Sequence, residues 1–293
     1  MTRFLLLSRL LAVAVLALVL PEAAAAQSGP VGSPEGRWRG QLHRVPFDPA
    51  GGALIVTRVC RPPGEGRAPL VVINHGSPAN AAERAHWATP TCGRVAQWFT
   101  QRGFVVAMPV RRGYGETGGT WAEDYGGCNG ADYVAGGLAS AADIDAVVRY
   151  MRALPYVAPD RLVVVGQSAG GWASLAYASR YPNGLLAVLN FAGGRGGHRN
   201  NVPNSNCAPD RLVAAAGTFG RTARVPTLWI YSENDSFFAP ELVRRMHAAF
   251  TAAGGAAQLV QPGPFSDDGH RLFTTAGMSI WTPIAGSFLD GVR

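Results

Sequence analysis

Residues 162–180 contain a G-x-S-x-G motif between a strand pattern and a helix pattern. This arrangement constrains the fold more than any other feature of the chain. Four apolar residues, 162–165, precede the motif and predict a strand buried on both faces. The run 172–180 after the motif favours a helix. Gly166 and Gly170 leave room for the sharp turn and close packing of a strand-to-helix elbow.

Ser168 lies at the tip of this predicted elbow, and its hydroxyl is the candidate nucleophile. The following helix begins with Ala169, whose backbone N–H can stabilise an oxyanion. A tight turn with a capping serine is the alternative, because the motif also arises by chance in a chain with 37 glycines. The flanking strand and helix patterns favour the nucleophile.

The amino-terminal 26 residues have the pattern of a secretory signal peptide. Arg3 precedes an apolar run over 4–20, and alanines at 24–26 fit the rule for cleavage. An uncleaved membrane anchor is the alternative, although the run is short for a span. We therefore predict export to the periplasm or the medium, a flexible Gly/Pro/Ser-rich leader at 27–36, and a single domain over 37–293.

The mature part contains four cysteines, which in an exported protein predict two disulfides. Cys128 and Cys207 both lie in Gly/Asn-rich loops that gain from a covalent tie, so we favour this pair and leave Cys60 with Cys92. Free buried thiols are the alternative. No metal-ligand spacing such as C-x-x-C is present, so we expect no metal site. We also expect no cofactor.

The formal net charge of +7 comes from scattered arginines. Removal of residues 1–26 takes away Arg3, Arg9 and Glu22, a net of +1, and leaves about +6. No basic run exceeds a pair such as 111–112, which argues against nucleic-acid binding. We expect a small-molecule substrate and, after signal cleavage, no membrane association; the sequence leaves the oligomeric state open.

Strand and helix patterns alternate along most of the chain. Segments 38–47 and 53–61 flank a turn and predict an antiparallel hairpin. Alternation then predicts an α/β fold with a doubly wound, mostly parallel sheet. The further predicted strands are 70–74, 104–108, 162–165, 185–189, 227–231 and 258–261. Only a polar loop, 193–206, and a short helix near 211–217 separate two of these strands, so no large cap domain is expected.

A serine nucleophile needs a base and an orienting acid, and parallel sheets place such residues just after strands. Asp235 follows the strand at 227–231 and is the favoured acid, with Glu233 and the pair 267–268 as rivals. His270 follows the last strand and is the favoured base. The other histidines are less suitable because of chain order, or because we expect surface or loop positions: His43, His75, His86, His198 and His247.

His75-Gly76-Ser77-Pro78 directly follows the strand at 70–74. An H-G step at this place commonly supplies the second half of an oxyanion hole, so we assign the backbone N–H of Ser77 as partner to that of Ala169. His75 is then a structural residue. A plain Gly-Ser-Pro turn is the alternative.

With these motifs the chain resembles the α/β-hydrolase superfamily, most of all serine-nucleophile relatives of dienelactone hydrolase and enzymes of the prolyl oligopeptidase and acetyl esterase type. The resemblance covers about residues 53–290 and implies the α/β-hydrolase fold. Dienelactone hydrolase itself has a cysteine nucleophile, so its substrate does not carry over to Ser168. The large propeller domain usual in prolyl oligopeptidases has no counterpart here. The motifs that carry the resemblance lie at 74–78, 112–115, 166–171, 229–235 and 268–270.

The resemblance implies a serine hydrolase that cleaves esters of small to modest size. Trp121, Tyr125 and Phe237 are candidate substrate-binding residues, although each can equally be ordinary packing. A peptidase or amidase is the alternative, and an acidic pair that holds an amino terminus would favour it. Glu123-Asp124 is the one candidate pair, and it can also be a solvated loop. A catalytically inactive binding protein is a third, less favoured reading.

Overall fold

The structure, a computed structural model, describes residues 27–48, 52–78 and 80–292. The predicted signal peptide lies outside the described residues. The described strands are β1 (Gly29–Glu35), β2 (Gly40–Pro46), β3 (Leu54–Cys60), β4 (Ala68–Asn74), β5 (Val105–Pro109), β6 (Val157–Gln167), β7 (Leu185–Phe191), β8 (Thr227–Ile230) and β9 (Ala257–Val260). The described α-helices are α1 (Ala81–Ala85), α2 (Arg94–Gln101), α3 (Tyr133–Arg152), α4 (Ala169–Ser179), α5 (Pro209–Gly220), α6 (Pro240–Ala252) and α7 (Met278–Gly291).

The described strands form one nine-stranded sheet in the order β1-β2-β3-β5-β4-β6-β7-β8-β9. The strands from β1 to β3, and β3 with β5, pair antiparallel. All pairs from β5 through β4 to β9 are parallel. The predicted mostly parallel sheet with an amino-terminal hairpin is therefore confirmed.

Hydrophobic cores cover both faces of the sheet. Along β6, Leu162 and Val164 pack into the core beneath α3 and α4, whereas Val163 and Val165 pack into the core beneath α2 and α7. All four are at most 1% exposed. Burial on both faces explains why this strand has an unbroken apolar run instead of alternation.

The segment 27–36 differs from the flexible leader predicted by its composition. Gly29–Glu35 is strand β1, paired antiparallel to β2 at the edge of the sheet. Six of its seven residues are exposed. The sequence shows no apolar alternation there because neither face of this strand is buried.

The described chain contains both predicted disulfides. Cys60 at the end of β3 is bonded to Cys92, in the loop before α2, and Cys128 is bonded to Cys207. The second bond joins the loop before α3 to the loop before α5 across 79 residues of sequence. The disulfides are consistent with export. None of the helices between residues 27 and 292, in the described part, has the length and hydrophobicity of a membrane span.

Candidate active site

The nucleophile elbow has the geometry that its sequence predicts. β6 ends at Gln167, α4 begins at Ala169, and Ser168 between them has φ 55° and ψ −123°. This positive φ is costly for a serine and is sustained by the surrounding packing. A Cβ on Gly166 would collide with the Gly170 carbonyl, and one on Gly170 with the Asn74 carbonyl. Both motif glycines are therefore required by close backbone contact.

The loops after β8 and β9 bring Asp235 and His270 together. His270 Nδ1 lies 3.0 Å from Asp235 Oδ1 and 3.1 Å from Oδ2. The histidine is 6% exposed and the aspartate 1%. Asp235 Oδ1 also accepts hydrogen bonds from the backbone N–H groups of Phe237 and Phe238, at 2.8 and 3.0 Å. The carboxylate is thus fixed towards the imidazole, as an orienting acid requires.

The rival acids lie elsewhere. Glu233 is exposed, and exposed Asp267 pairs with Arg271. Asp268 accepts from the backbone N–H of His270 at 2.9 Å, from that of Ser236 at 3.1 Å and from Ser236 Oγ at 2.8 Å. Burial opposes the charge of Asp268, but these hydrogen bonds outweigh it and lower its pKa. Asp268 therefore joins the base loop to the acid loop, a role that the sequence did not indicate.

The candidate base His270 is also hydrogen-bonded to the elbow. Gln167 Nε2 donates to the His270 carbonyl at 3.0 Å, and the His270 ring stacks on Phe237 with centroids 4.0 Å apart. Among the described residues, Ser168 Oγ and His270 form no hydrogen bond with each other. Such bonds are often long in proteins without substrate and shorten when substrate binds.

One cavity of about 540 Å³ contains Ser168 in its wall, and we call it the serine cavity. The candidate oxyanion residues Ser77 and Ala169 line it, and so do the candidate substrate residues. All six sequence-predicted lining residues therefore meet in one place: Ser77, Trp121, Tyr125, Ser168, Ala169 and Phe237. The predicted polar loop after β7 supplies further lining residues, including Arg195 and His198.

His75 in the candidate oxyanion loop is held as a neutral structural residue. Its Nδ1 contacts the Gly76 carbonyl at 2.6 Å, and its Nε2 accepts from the Arg111 backbone N–H at 3.1 Å. Burial, together with the positive charge of Arg111, lowers its pKa to about 3. Gly76 is next to the elbow, since a Cβ there would lie 3.3 Å from the Ser168 Cβ.

Beside the serine cavity lies a buried ionic cluster, which we define as Arg111, Glu123 and Arg195. The Glu123 carboxylate bonds the guanidinium groups of both arginines, and all three side chains are at most 2% exposed. Burial alone would raise the pKa of Glu123, but the two arginines hold it well below its ordinary value. The reading of Glu123 as part of a solvated loop is therefore wrong, whereas Asp124 is exposed.

Two further histidines complete the comparison with the sequence. His43 was expected at the surface but is 2% exposed, with Nδ1 2.9 Å from the Tyr150 hydroxyl. His198 Nε2 lies 2.9 Å from Ser236 Oγ, and its ring stacks on Phe237. No group of three or more His, Cys, Asp or Glu side chains in the described ranges is arranged to hold a metal ion.

Comparison with known proteins shows the class of fold and a partial family match. The fold is the α/β-hydrolase fold, which solved structures of a dienelactone hydrolase and an acetyl xylan esterase share. Residues 90–189, about a third of the chain, match the sequence model of the Prolyl oligopeptidase family, Peptidase_S9. No curated protein matches the sequence.

Solved structures share the fold at low identity. A protein from Klebsiella pneumoniae assigned as a dienelactone hydrolase is 17% identical, with a TM-score of 0.54 over 85% of this chain and 98% of that one. Acetyl xylan esterase from Paenibacillus sp. R4 is 17% identical, with a TM-score of 0.62 over 91% and 88%. A puromycin-hydrolysing peptidase from Mycobacterium tuberculosis, also 17% identical, has a TM-score of 0.60 over 85% of this chain but only 38% of its own.

Proposed function

We propose that the protein hydrolyses carboxylic esters of small to modest size, with Ser168 as nucleophile, His270 as base and Asp235 as orienting acid. The observation that supports this most is the buried His270–Asp235 pair, with both carboxylate oxygens within 3.1 Å of Nδ1. The strained Ser168 in the wall of a cavity with Ser77 and Ala169 adds to it.

The proposed reaction follows from these positions. With Nδ1–H directed to Asp235, Nε2 of His270 is free to accept the Ser168 proton as Oγ attacks the ester carbonyl. The backbone N–H groups of Ala169 and Ser77 stabilise the negative charge on the carbonyl oxygen. The imidazolium then protonates the departing alcohol, and a water activated by His270 hydrolyses the acyl-enzyme.

A peptidase or amidase of the same fold is the second candidate, favoured by the Prolyl oligopeptidase family match. A carboxylate that binds a substrate amino terminus would support it. Glu123 does not provide one, because both of its oxygens are engaged by arginines. Glu83 is exposed and lines the serine cavity, and it is the carboxylate that remains available there among the described residues. An inactive binding protein is less well supported, since the acid, base and serine are all present.

We further propose that the protein works outside the cytoplasm, as one domain after removal of residues 1–26. The two disulfides support this because they persist in oxidising compartments. The amino terminus of the purified, exported protein, determined by mass spectrometry, tests it directly.

The test of function combines a covalent probe with a substrate panel. A fluorophosphonate should label Ser168 in the wild type, and Ser168→Ala should lose the label and several orders of magnitude in turnover. Ser287→Ala, an exposed serine in α7, is the matched control. The rates of turnover of chromogenic esters and of aminoacyl amides are then compared. Labelling of the Ser168→Ala protein at the wild-type level would refute the nucleophile, and turnover of amides alone would favour the peptidase.

A further inference from the structure

A second cavity, of about 570 Å³, is also lined by residues of the candidate oxyanion loop, and we call it the apolar cavity. Its volume is in the range of small-molecule sites. Pro78 and Glu83 line both cavities, so the two are neighbours. Most side chains of its wall are apolar: Ile73, Pro78, Trp87, Ala88, Pro90, Met108, Pro109 and Phe273.

The wall of the apolar cavity includes residues that flank Ser168 and His270. Gly76, packed against Ser168, and Gln167, the residue before it, are part of its wall. Arg271, Phe273 and Thr274, which follow the base His270, complete that side. The cavity therefore lies between the elbow and the loop that carries the base.

Most polar groups in this wall are hydrogen-bonded or exposed; the exception is the buried Asn74 Oδ1, which has no hydrogen-bond partner among the described residues. Both ring nitrogens of His75 have backbone partners, and its ring packs against Trp87 with centroids 4.7 Å apart. Arg271 is exposed and paired with Asp267, and Glu83 is exposed. The interior thus offers an uncharged, largely aromatic and aliphatic surface, which suits an apolar group.

The positions of the oxyanion donors and of the base indicate which part of an ester each cavity would bind. The oxyanion donors Ser77 and Ala169 line the serine cavity, so the carbonyl and its acyl substituent belong there. The leaving oxygen must lie beside His270, which protonates it, and the apolar cavity is walled by the residues that follow His270. We propose that the apolar cavity binds the alcohol part of the ester, and that this alcohol is an alkyl or single-ring aryl alcohol. This inference rests on the proposed esterase function.

Two substrate series separate the cavities. One series varies the alcohol at constant acyl group (ethyl, butyl and benzyl acetate), and the other varies the acyl group of ethyl esters. Burial of a methylene is worth up to about fourfold in binding. We therefore expect kcat/KM, measured by acid release in a pH-stat, to rise at least about tenfold from ethyl to butyl or benzyl acetate.

Ala88→Trp fills the apolar cavity from an exposed position that should not disturb folding. It should reduce the gain along the alcohol series to less than about threefold and leave the acyl series as in the wild type. Ala256→Trp, at an exposed site before β9, is the matched control and should retain the gain. Retention of the gain in Ala88→Trp, or its loss in the acyl series instead, would overturn the assignment.

A binding measurement keeps this inference distinct from the esterase proposal. Ser168→Ala, which cannot turn over, is titrated with benzyl alcohol by saturation-transfer NMR, with and without Ala88→Trp. Saturable binding that Ala88→Trp abolishes supports the cavity assignment. If the wild type turns over no ester, the esterase proposal is refuted, but this binding result still supports the cavity assignment. Binding that is absent, or unchanged by Ala88→Trp, refutes the assignment.

Discussion

The protein has two buried groups of charged side chains near the carboxyl ends of its strands. In both groups N–H donors bond a carboxylate, but only one group retains a nitrogen without a hydrogen bond. In the ionic cluster of Arg111, Glu123 and Arg195, the single carboxylate is used entirely by the two guanidinium groups. In the acid–base group, Asp235 holds Nδ1 of His270, while Nε2 has no hydrogen bond among the described residues.

This comparison shows that a strong pKa shift of a buried charge does not by itself identify a catalytic group. Both groups are almost inaccessible to water, and burial and neighbouring charges shift the pKa of Glu123 strongly. Such a shift is often taken as a sign of a functional site. Here both oxygens of the carboxylate with the large shift accept hydrogen bonds from arginines. The proposed catalytic group is recognised instead by a His270 ring nitrogen without a hydrogen bond, and by the positive φ of Ser168.

The largest expected effect tests the acid. Asp235→Asn should lower kcat by about 10⁴-fold, because an amide favours the wrong tautomer of His270. Glu233→Gln is the matched control, since Glu233 is exposed two positions away. Both variants are assayed on the best ester, with folding checked by circular dichroism. An inactive Glu233→Gln beside a nearly unaffected Asp235→Asn would show that the acid is misassigned.

The ionic cluster should affect stability more than chemistry. Glu123→Gln leaves two buried guanidinium groups without a counter-charge and should cost about 3–5 kcal/mol in the free energy of unfolding. Denaturant titration measures it, with Asp124→Asn, its exposed neighbour, as the control. A Glu123→Gln protein as stable as the wild type would contradict the structural role.

Asp268 should have an intermediate effect, because it holds the backbone of the proposed base His270 and contacts neither its ring nor the serine cavity. Asp268→Ala frees the backbone N–H of His270 and both donors of Ser236, so kcat should fall about 10- to 100-fold with little change in KM. Asp268→Asn keeps one acceptor oxygen and should restore part of the loss. Equal activity of Asp268→Ala and the wild type would remove this role.

The smallest effect concerns pH. Burial, with Arg61 nearby, lowers the pKa of His43 to about 4. The unfolded chain then binds more protons below about pH 6.5, so stability is complete above that pH and falls as the pH drops towards 4. His43→Gln should reduce this fall between pH 7 and 5.5 by on the order of 1 kcal/mol. Identical pH dependence of the unfolding free energy in both proteins would contradict it.

The contact between His270 and Asp235 could be predicted because each residue follows a strand with a clear apolar pattern. Strand order alone brings Ser168, Asp235 and His270 to one edge of the sheet. The ionic cluster could not be predicted, since Glu123 and Arg195 are 72 residues apart and lie in loops whose paths no local pattern fixes. The exposed strand β1 was missed because pairing with β2, without burial, leaves no mark in the sequence.

Strand β1 also bears on how the protein behaves at high concentration. A strand at the end of a sheet exposes backbone groups on which another molecule can add a strand and start an aggregate. Pro30 and Pro34 remove two N–H donors from the seven residues of β1, and Val31 is the one large aliphatic residue exposed on this strand. The edge strand β1 is thus a poor template for pairing with a strand of another molecule. Substitution of both prolines by valine should lower solubility while leaving the candidate active site unchanged.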